Sequence, residues 1–359
     1  MYQSIGKHYK MRKKHLILFT IILLSATANS QLDMNNLTQS WIQVQINMKD
    51  GSEKISYYPW TNRFMEFIFF ENYYSYNVYP AETEKTARFN YRLNKNKIHV
   101  SKYFEYVIEN LTSDSLTIVE NIPEMSDDKL KRYFLVSKKK LVNDYIKLLD
   151  TLSKIDAKTY YSPKFEGKLI RYLNKKLKNT LGKTEFSGIL EFLPKSSKLR
   201  VKILENESNS ITISTRTIKA LEKSFPKWNL EGFERFEQIN IPFFFMVNNE
   251  GRSRNVRIKL FATEKNDLLA DYGKSLKVMN ESSYFFNKGL NAYQNKNYRL
   301  AITHFSKSYL IDPSFIDALY NRATTYLEID EIKSACSDWL ELKKLGQTKG
   351  KVLYLQNCD

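Results

Sequence analysis

The sequence predicts a multi-domain α+β protein: an N-terminal antiparallel β-barrel or sandwich, a middle α+β domain and a C-terminal run of α-helical hairpins. Three observations carry this reading. Residues 37–137 alternate apolar and polar positions in short stretches, residues 164–247 order their patterns as helix, strand, strand, helix, strand, and residues 283–357 repeat with a period of 34. With 359 residues there is material for several cores, and only 11 glycines and 8 prolines leave little room for long flexible linkers.

Residues 1–30 read as a signal peptide. The basic stretch Lys10-Met11-Arg12-Lys13-Lys14 precedes an apolar run from Leu16 to Leu24, and Ala28 and Ser30 satisfy the small-residue rule for cleavage before Gln31. The run is too short for a mature membrane span. An uncleaved anchor is the alternative, and no further segment of membrane-spanning length follows. Removing the five cations of this segment lowers the formal net charge from +17 to +12. The remaining lysines are mixed with glutamates, and the densest run, Lys138-Lys139-Lys140, reads as a solvated face, so no nucleic-acid partner is expected.

In the all-β region, 31–137, the expected strands are Trp41–Asn47, Phe64–Phe70, Tyr73–Tyr79, Arg88–Leu93, Lys97–Val100, Phe104–Leu111, Ser115–Glu120 and Arg132–Ser137. About eight short antiparallel strands suggest closure, because closure removes exposed edges. The stretches from Leu37 to Val44 and from Ile108 to Ile118 resemble small lipocalin-like domains of exported bacterial proteins. That resemblance implies a ligand inside the barrel. The alternative is an interior filled by Phe and Tyr.

Residues 138–163 read as a helical connector with Leu141, Tyr145, Leu148, Leu149 and Leu152 on one stripe. The middle domain, 164–250, should hold a helix over Phe165–Leu177, strands over Glu185–Leu193 and Lys198–Leu204, and a helix capped by Ser214 or Thr215 and stopped by Pro226. Its last strand, Ile239–Val247, contains Pro242, which argues for a sheet edge. Gly188, the Pro226-Lys227-Trp228 step and Ile241-Pro242-Phe243-Phe244-Phe245 resemble the C-terminal domain of TonB-type energy transducers. The resemblance implies that fold, a strand-pairing habit and the periplasm of a Gram-negative bacterium. The usual Pro-Gly after the tryptophan is Asn229-Leu230 here, and no anchored Pro-rich spacer precedes it, so energy transduction is not carried over.

After a connector at 251–280, the segment 281–359 pairs Phe285 with Leu319, Gly289 with Ala323, Tyr298 with Ile332, Ala301 with Ala335 and Phe305 with Trp339. Gly289, Tyr298, Ala301, Phe305 and Pro313 resemble tetratricopeptide repeats, which implies two repeats and a capping helix over Thr348–Asn357. In that family the inner face grips peptides. Here it would present Phe286, Asn287, Leu290, Tyr293, Tyr320, Asn321 and Leu327 to a protein or peptide partner. Cover by the chain's own middle domain is the alternative.

Cys336 and Cys358 lie equally far from residue 347, at the turn of a helical hairpin, and so at one height. A disulfide there would contribute on the order of 3 kcal/mol in the chain-entropy model. Two buried thiols are the alternative. No catalytic constellation is read. His99 and His304 lack metal-ligand spacing, Gly182-Lys183-Thr184 lacks the earlier glycine of a phosphate loop, and no cofactor or metal is expected. The function expected is a non-catalytic envelope adaptor, with a small-ligand or lipid carrier as the alternative.

Overall fold

Alternation in the first third becomes nine antiparallel strands among the described residues: β1 (Ser40–Met48), β2 (Glu66–Phe69), β3 (Tyr73–Asn77), β4 (Arg88–Asn90), β5 (Arg92–Asn94), β6 (Lys97–Ser101), β7 (Phe104–Leu111), β8 (Ser115–Asn121) and β9 (Lys131–Ser137). The structure is a computed structural model that describes residues 33–58, 64–83, 87–178, 182–207, 211–250 and 253–358. The expected signal segment lies outside the described residues. The sheet order is β4-β3-β2-β1-β9-β8-β7-β6-β5. The single strand expected over Arg88–Leu93 is broken at Tyr91 into β4 and β5, which are the two opposite edges. Tyr91 alone bridges them, so the sheet must curl back on itself into a nearly closed barrel. Its interior packs Trp41, Phe67, Phe69, Tyr74, Tyr106, Ile108 and Tyr133. The Trp41 indole N–H donates to the Leu37 carbonyl at 3.0 Å, which satisfies its buried polar end.

Helix α1 (Lys138–Leu148) follows β9 directly. Its expected stripe is only half used: Leu149 and Tyr145 join the core beyond, whereas Leu148 and Leu152 are exposed. β10 (Lys154–Asp156) and β11 (Lys164–Phe165) come next, so the helix expected from Phe165 starts four residues later as α2 (Leu169–Lys176). Then come β12 (Gly182–Leu193), β13 (Lys198–Asn206), α3 (Ile211–Glu222), β14 (Trp228–Asn229), β15 (Gln238–Glu250) and β16 (Ser253–Leu260). The second sheet runs β10-β15-β12-β13, with β16 also on β15. One face carries Phe186, Leu190 and Phe192 of β12 with Ile239, Ile241, Phe243 and Phe245 of β15, packed against Leu169, Leu173, Ile213 and Leu221 of the two helices.

Three expectations are corrected here. Ser214 does not cap α3. It lies inside the helix, buried, with its hydroxyl 3.1 Å from that of Thr184. β15 is central, not an edge. It takes β10 along residues 238–240 and β16 from 243 onward, both on the side away from β12. The Pro242 carbonyl accepts from Phe261 on that side, so its nitrogen, which cannot donate, also faces the gap between the two half-length partners. Thirdly, the connector expected at 251–280 contains β16, α4 (Lys265–Tyr272) and the start of α5 (Leu276–Gln294).

The chain ends in antiparallel helices: α5, α6 (Tyr298–Ile311), α7 (Asp317–Leu327), α8 (Ile332–Lys344) and α9 (Thr348–Asn357). Ala301 and Ala335 are fully buried, with Phe305 and Trp339 one turn on filling the space between paired helices. A Cβ on Gly289 would stand 2.5 Å from the Phe305 ring, which explains why the first repeat needs glycine there.

Contacts join residues Leu32–Asp359 into one unit. The barrel segment 80–83 runs beside β11: Phe165 N–H donates to the Ala81 carbonyl at 2.7 Å and Thr83 N–H to the Phe165 carbonyl at 3.0 Å. Lys168 at the N-cap of α2 carries no accepting side chain, and Glu82 Oε1 takes the Leu169 N–H instead, at 3.1 Å.

Lys164 sits at this seam and donates to the Pro80 carbonyl. Burial, helped by the nearby Lys138 cation and opposed by Glu66, pushes its amine down to about 8. Between about pH 8 and the ordinary lysine value of 10.5, the unfolded chain therefore holds a proton that the folded chain has released. Stability from this group must rise with pH across that window, and below it the burial penalty is present in full. In denaturation series from pH 7.5 to 10, wild type is expected to gain on Lys164→Met by on the order of 2–3 kcal/mol. A gap that does not change with pH would contradict the assignment.

Candidate functional site

Of the seven residues expected to line one groove, five are half-buried, and Asn287 and Leu327 are exposed. Phe286, Leu290 and Tyr293 pack onto the Ala292–Ala301–Phe305 cluster, with Phe286 also against the Phe315 ring at 4.8 Å. The Tyr293 hydroxyl donates to Glu328 at 2.9 Å. Tyr320 is half-buried and accepts the Gly350 N–H at 3.1 Å, and burial pushes its hydroxyl up to about 12. Asn321 turns back to the Asp317 carbonyl at 2.7 Å. Leu327 is exposed, and Asn287 is exposed on another face.

The barrel meets the helical hairpins near Tyr320, whose partner Gly350 follows the α8–α9 turn. The turn after β1 meets the α8–α9 turn: Glu53 N–H donates to the Gly346 carbonyl, Gln347 Nε2 to the Glu53 carbonyl, and Thr348 N–H to Ser52 Oγ, each at 3.0 Å. Lys129 pairs with Asp317 at 2.9 Å beside them. The contact made at this point comes from the N-terminal barrel, not from the middle domain named in the alternative.

What stays open is the cleft between α5 and α6, about 630 Å³, lined by Tyr284, Asn287, Lys288, Asn291, Leu300 and His304 among others. Asn287 and Asn291 of α5 and Asn295, its C-cap, stand four residues apart on one face. Asn295 Nδ2 donates to the Asn291 carbonyl and to Asn291 Oδ1 at 2.9 and 3.0 Å, which turns the Asn291 amide group outward as a donor. Tyr284 is 53% exposed and Leu300 44% exposed at the two walls. Burial, then the Lys288 and Lys307 cations, hold His304 below the usual imidazole range, so it is neutral at pH 7. Aromatic area, carboxamide donors and cations together suit a polypeptide with acidic side chains. Of these residues the sequence reading held only Asn287. The spacing 287, 291, 295 is the signal that finds Asn291 and Asn295.

Cys336 and Cys358 are bonded, with an S–S distance of 2.00 Å, and tie the end of α9 to α8. His99 is held by Glu105, Nδ1 to Oε2 at 2.7 Å. The barrel interior, the other location considered for a ligand, is occupied by rings. Phe67, Tyr74, Tyr106 and Tyr133 contact one another edge-on or tilted, and the Tyr133 hydroxyl donates to the buried Glu120 at 2.8 Å. Among the described residues no three His, Cys, Asp or Glu side chains gather as metal ligands, and no helix is long and apolar enough to cross a membrane. Neither the family models nor the curated proteins compared with the chain give a match.

Proposed function

We propose that this is an exported, non-catalytic envelope protein that acts as an adaptor, binding a protein partner through its C-terminal helical hairpins at the α5–α6 cleft. The single observation that carries this is the cleft itself: exposed Tyr284 and Leu300 flank outward carboxamides on a face that no other part of the described chain covers. The reading takes the period-34 helices as tetratricopeptide-type repeats and the middle α+β region as TonB C-terminal-like. The Cys336–Cys358 bond supports an oxidising compartment such as the periplasm. Among the described residues β13 pairs with β12 alone, so its other edge offers a second contact for a partner strand, in place of the edge expected at Pro242.

The test uses the purified full-length chain, immobilised. A partner retained by wild type should be lost, by about tenfold or more in affinity, on Tyr284→Glu with Leu300→Glu. Both residues are exposed, so the fold should persist. Equal retention by the variant would defeat the reading.

A further inference from the structure

The barrel's seam holds a second cleft that the adaptor role leaves unused. β4 and β5 are edge strands, and Tyr91 turns the chain from one edge to the other. Tyr91 is fixed there: its N–H donates to the Asn72 carbonyl at 3.0 Å and its hydroxyl to the Phe70 carbonyl at 2.6 Å. Burial, then the Glu71 carboxylate, raise that hydroxyl above the usual phenol range, so it stays a neutral donor. Around this anchor lies a cleft of about 680 Å³, lined by Asn72, Asn90, Arg92, His99, Ser101 and Lys102 in addition to Tyr91 and Val100.

Among the described residues the lining has cations and neutral donors and no carboxylate. Glu105, the acid behind it, is already committed. It takes His99 Nδ1 at 2.7 Å, Lys97 at 2.7 Å and Asn121 at 2.7 Å, and these partners outweigh its burial and hold it below the usual carboxylate range. That grip also fixes the His99 ring, which lines the cleft. Arg92 lies directly across from His99 in the β5–β6 pairing. Among the described residues neither Arg92 nor Lys102 has a carboxylate partner; Lys102 stands only over the Tyr103 ring at 5.1 Å. A guanidinium and an ammonium without counter-ions, on a rigid β-edge, match an oxyanion. Asn72, Asn90 and Ser101 add neutral hydrogen-bonding groups suited to hydroxyls beside it.

We propose that this seam cleft binds a small polar molecule bearing an oxyanion, of the size and chemistry of a phosphorylated sugar. The anion rests on Arg92 and Lys102, and the hydroxylated body lies on Asn72, Asn90 and Ser101. The site is separate from the α5–α6 cleft and does not depend on it.

The probes are glucose 6-phosphate, glucose and inorganic phosphate, titrated calorimetrically into the full chain at low salt. Glucose 6-phosphate should bind saturably and about tenfold more tightly than either fragment. Arg92→Gln with Lys102→Gln should weaken it by at least about tenfold, whereas Lys95→Gln, on the nearby β5–β6 turn but outside the lining, should leave it unchanged. All three side chains are exposed, so folding is not at stake. The proposal is overturned if no saturable binding occurs, if either fragment binds as tightly, if the double variant binds like wild type, or if Lys95→Gln weakens binding equally.

Discussion

Asp338→Ala is expected to destabilise the full chain by about 3–5 kcal/mol in denaturant unfolding. Asp338 is 5% exposed inside the second helical hairpin and receives Arg322 as a two-pronged clamp, Nε to Oδ2 at 2.9 Å and Nη2 to Oδ1 at 2.6 Å. The third arm of the guanidinium reaches Ser306 at 2.9 Å on α6, so one charge ties three helices. The hydrogen bonds that Arg322 donates to Asp338 outweigh its burial and raise its already high pKa. A guanidinium does not deprotonate in proteins, so removing the carboxylate leaves a buried cation. The uncompensated cation makes the loss large. Arg322→Met with Asp338→Leu, which removes both charges, should recover most of it. A loss under about 1 kcal/mol for Asp338→Ala would show the pair to be a solvated contact.

Gly188→Ala is expected to cost about 3 kcal/mol, more than helix or strand propensity allows. A Cβ there would lie 2.7 Å from the Lys202 carbonyl oxygen and 2.9 Å from the Phe243 ring. The carbonyl belongs to the β12–β13 ladder, and Phe243 is fully buried, so neither can step back without losing pairing or packing. Thermal unfolding measures the cost. Adding Phe243→Leu should return part of it by clearing the ring, while the backbone clash remains. Unchanged stability in Gly188→Ala would mean that the two strands sit further apart than described.

Much of this architecture was legible because half-buried strands and packed helices leave a period in the sequence. Leu199, Val201 and Ile203 face the core while Arg200 and Lys202 face out, as their alternation requires. What local pattern cannot show is a second partner. Pro242 reads as an edge signal only if a strand has one neighbour per side along its whole length, and β15 has two in tandem. β16 carries its own alternation, Val256, Ile258 and Leu260, but Arg254 before that run and Arg257 and Lys259 within it make the strand look like a polar connector. Ser214 reads as a cap, yet the helix begins at Ile211 and buries Ile213 and Ser214 against the sheet side.

The candidate site was read less well for the same reason. Tyr320 sits on the face that repeat periodicity selects, but it accepts from Gly350 of α9, and the turn that opens α9 binds a barrel turn some three hundred residues earlier in the chain. No local signal reports such a contact. Asn291 and Asn295 fall on the surface left open, where helical spacing alone would have placed them beside Asn287.

The central claim, that the α5–α6 cleft and not the Tyr320 hollow meets the partner, is tested most directly by site-specific photo-crosslinking. A photoreactive residue is placed at Asn291 in one full-length chain and at Tyr320 in another, each made in its native cells. The account predicts one reproducible adduct of defined partner sequence from position 291, and from position 320 only links within the chain, to the barrel turn around Ser52. Partner adducts at 320 with none at 291 would contradict it.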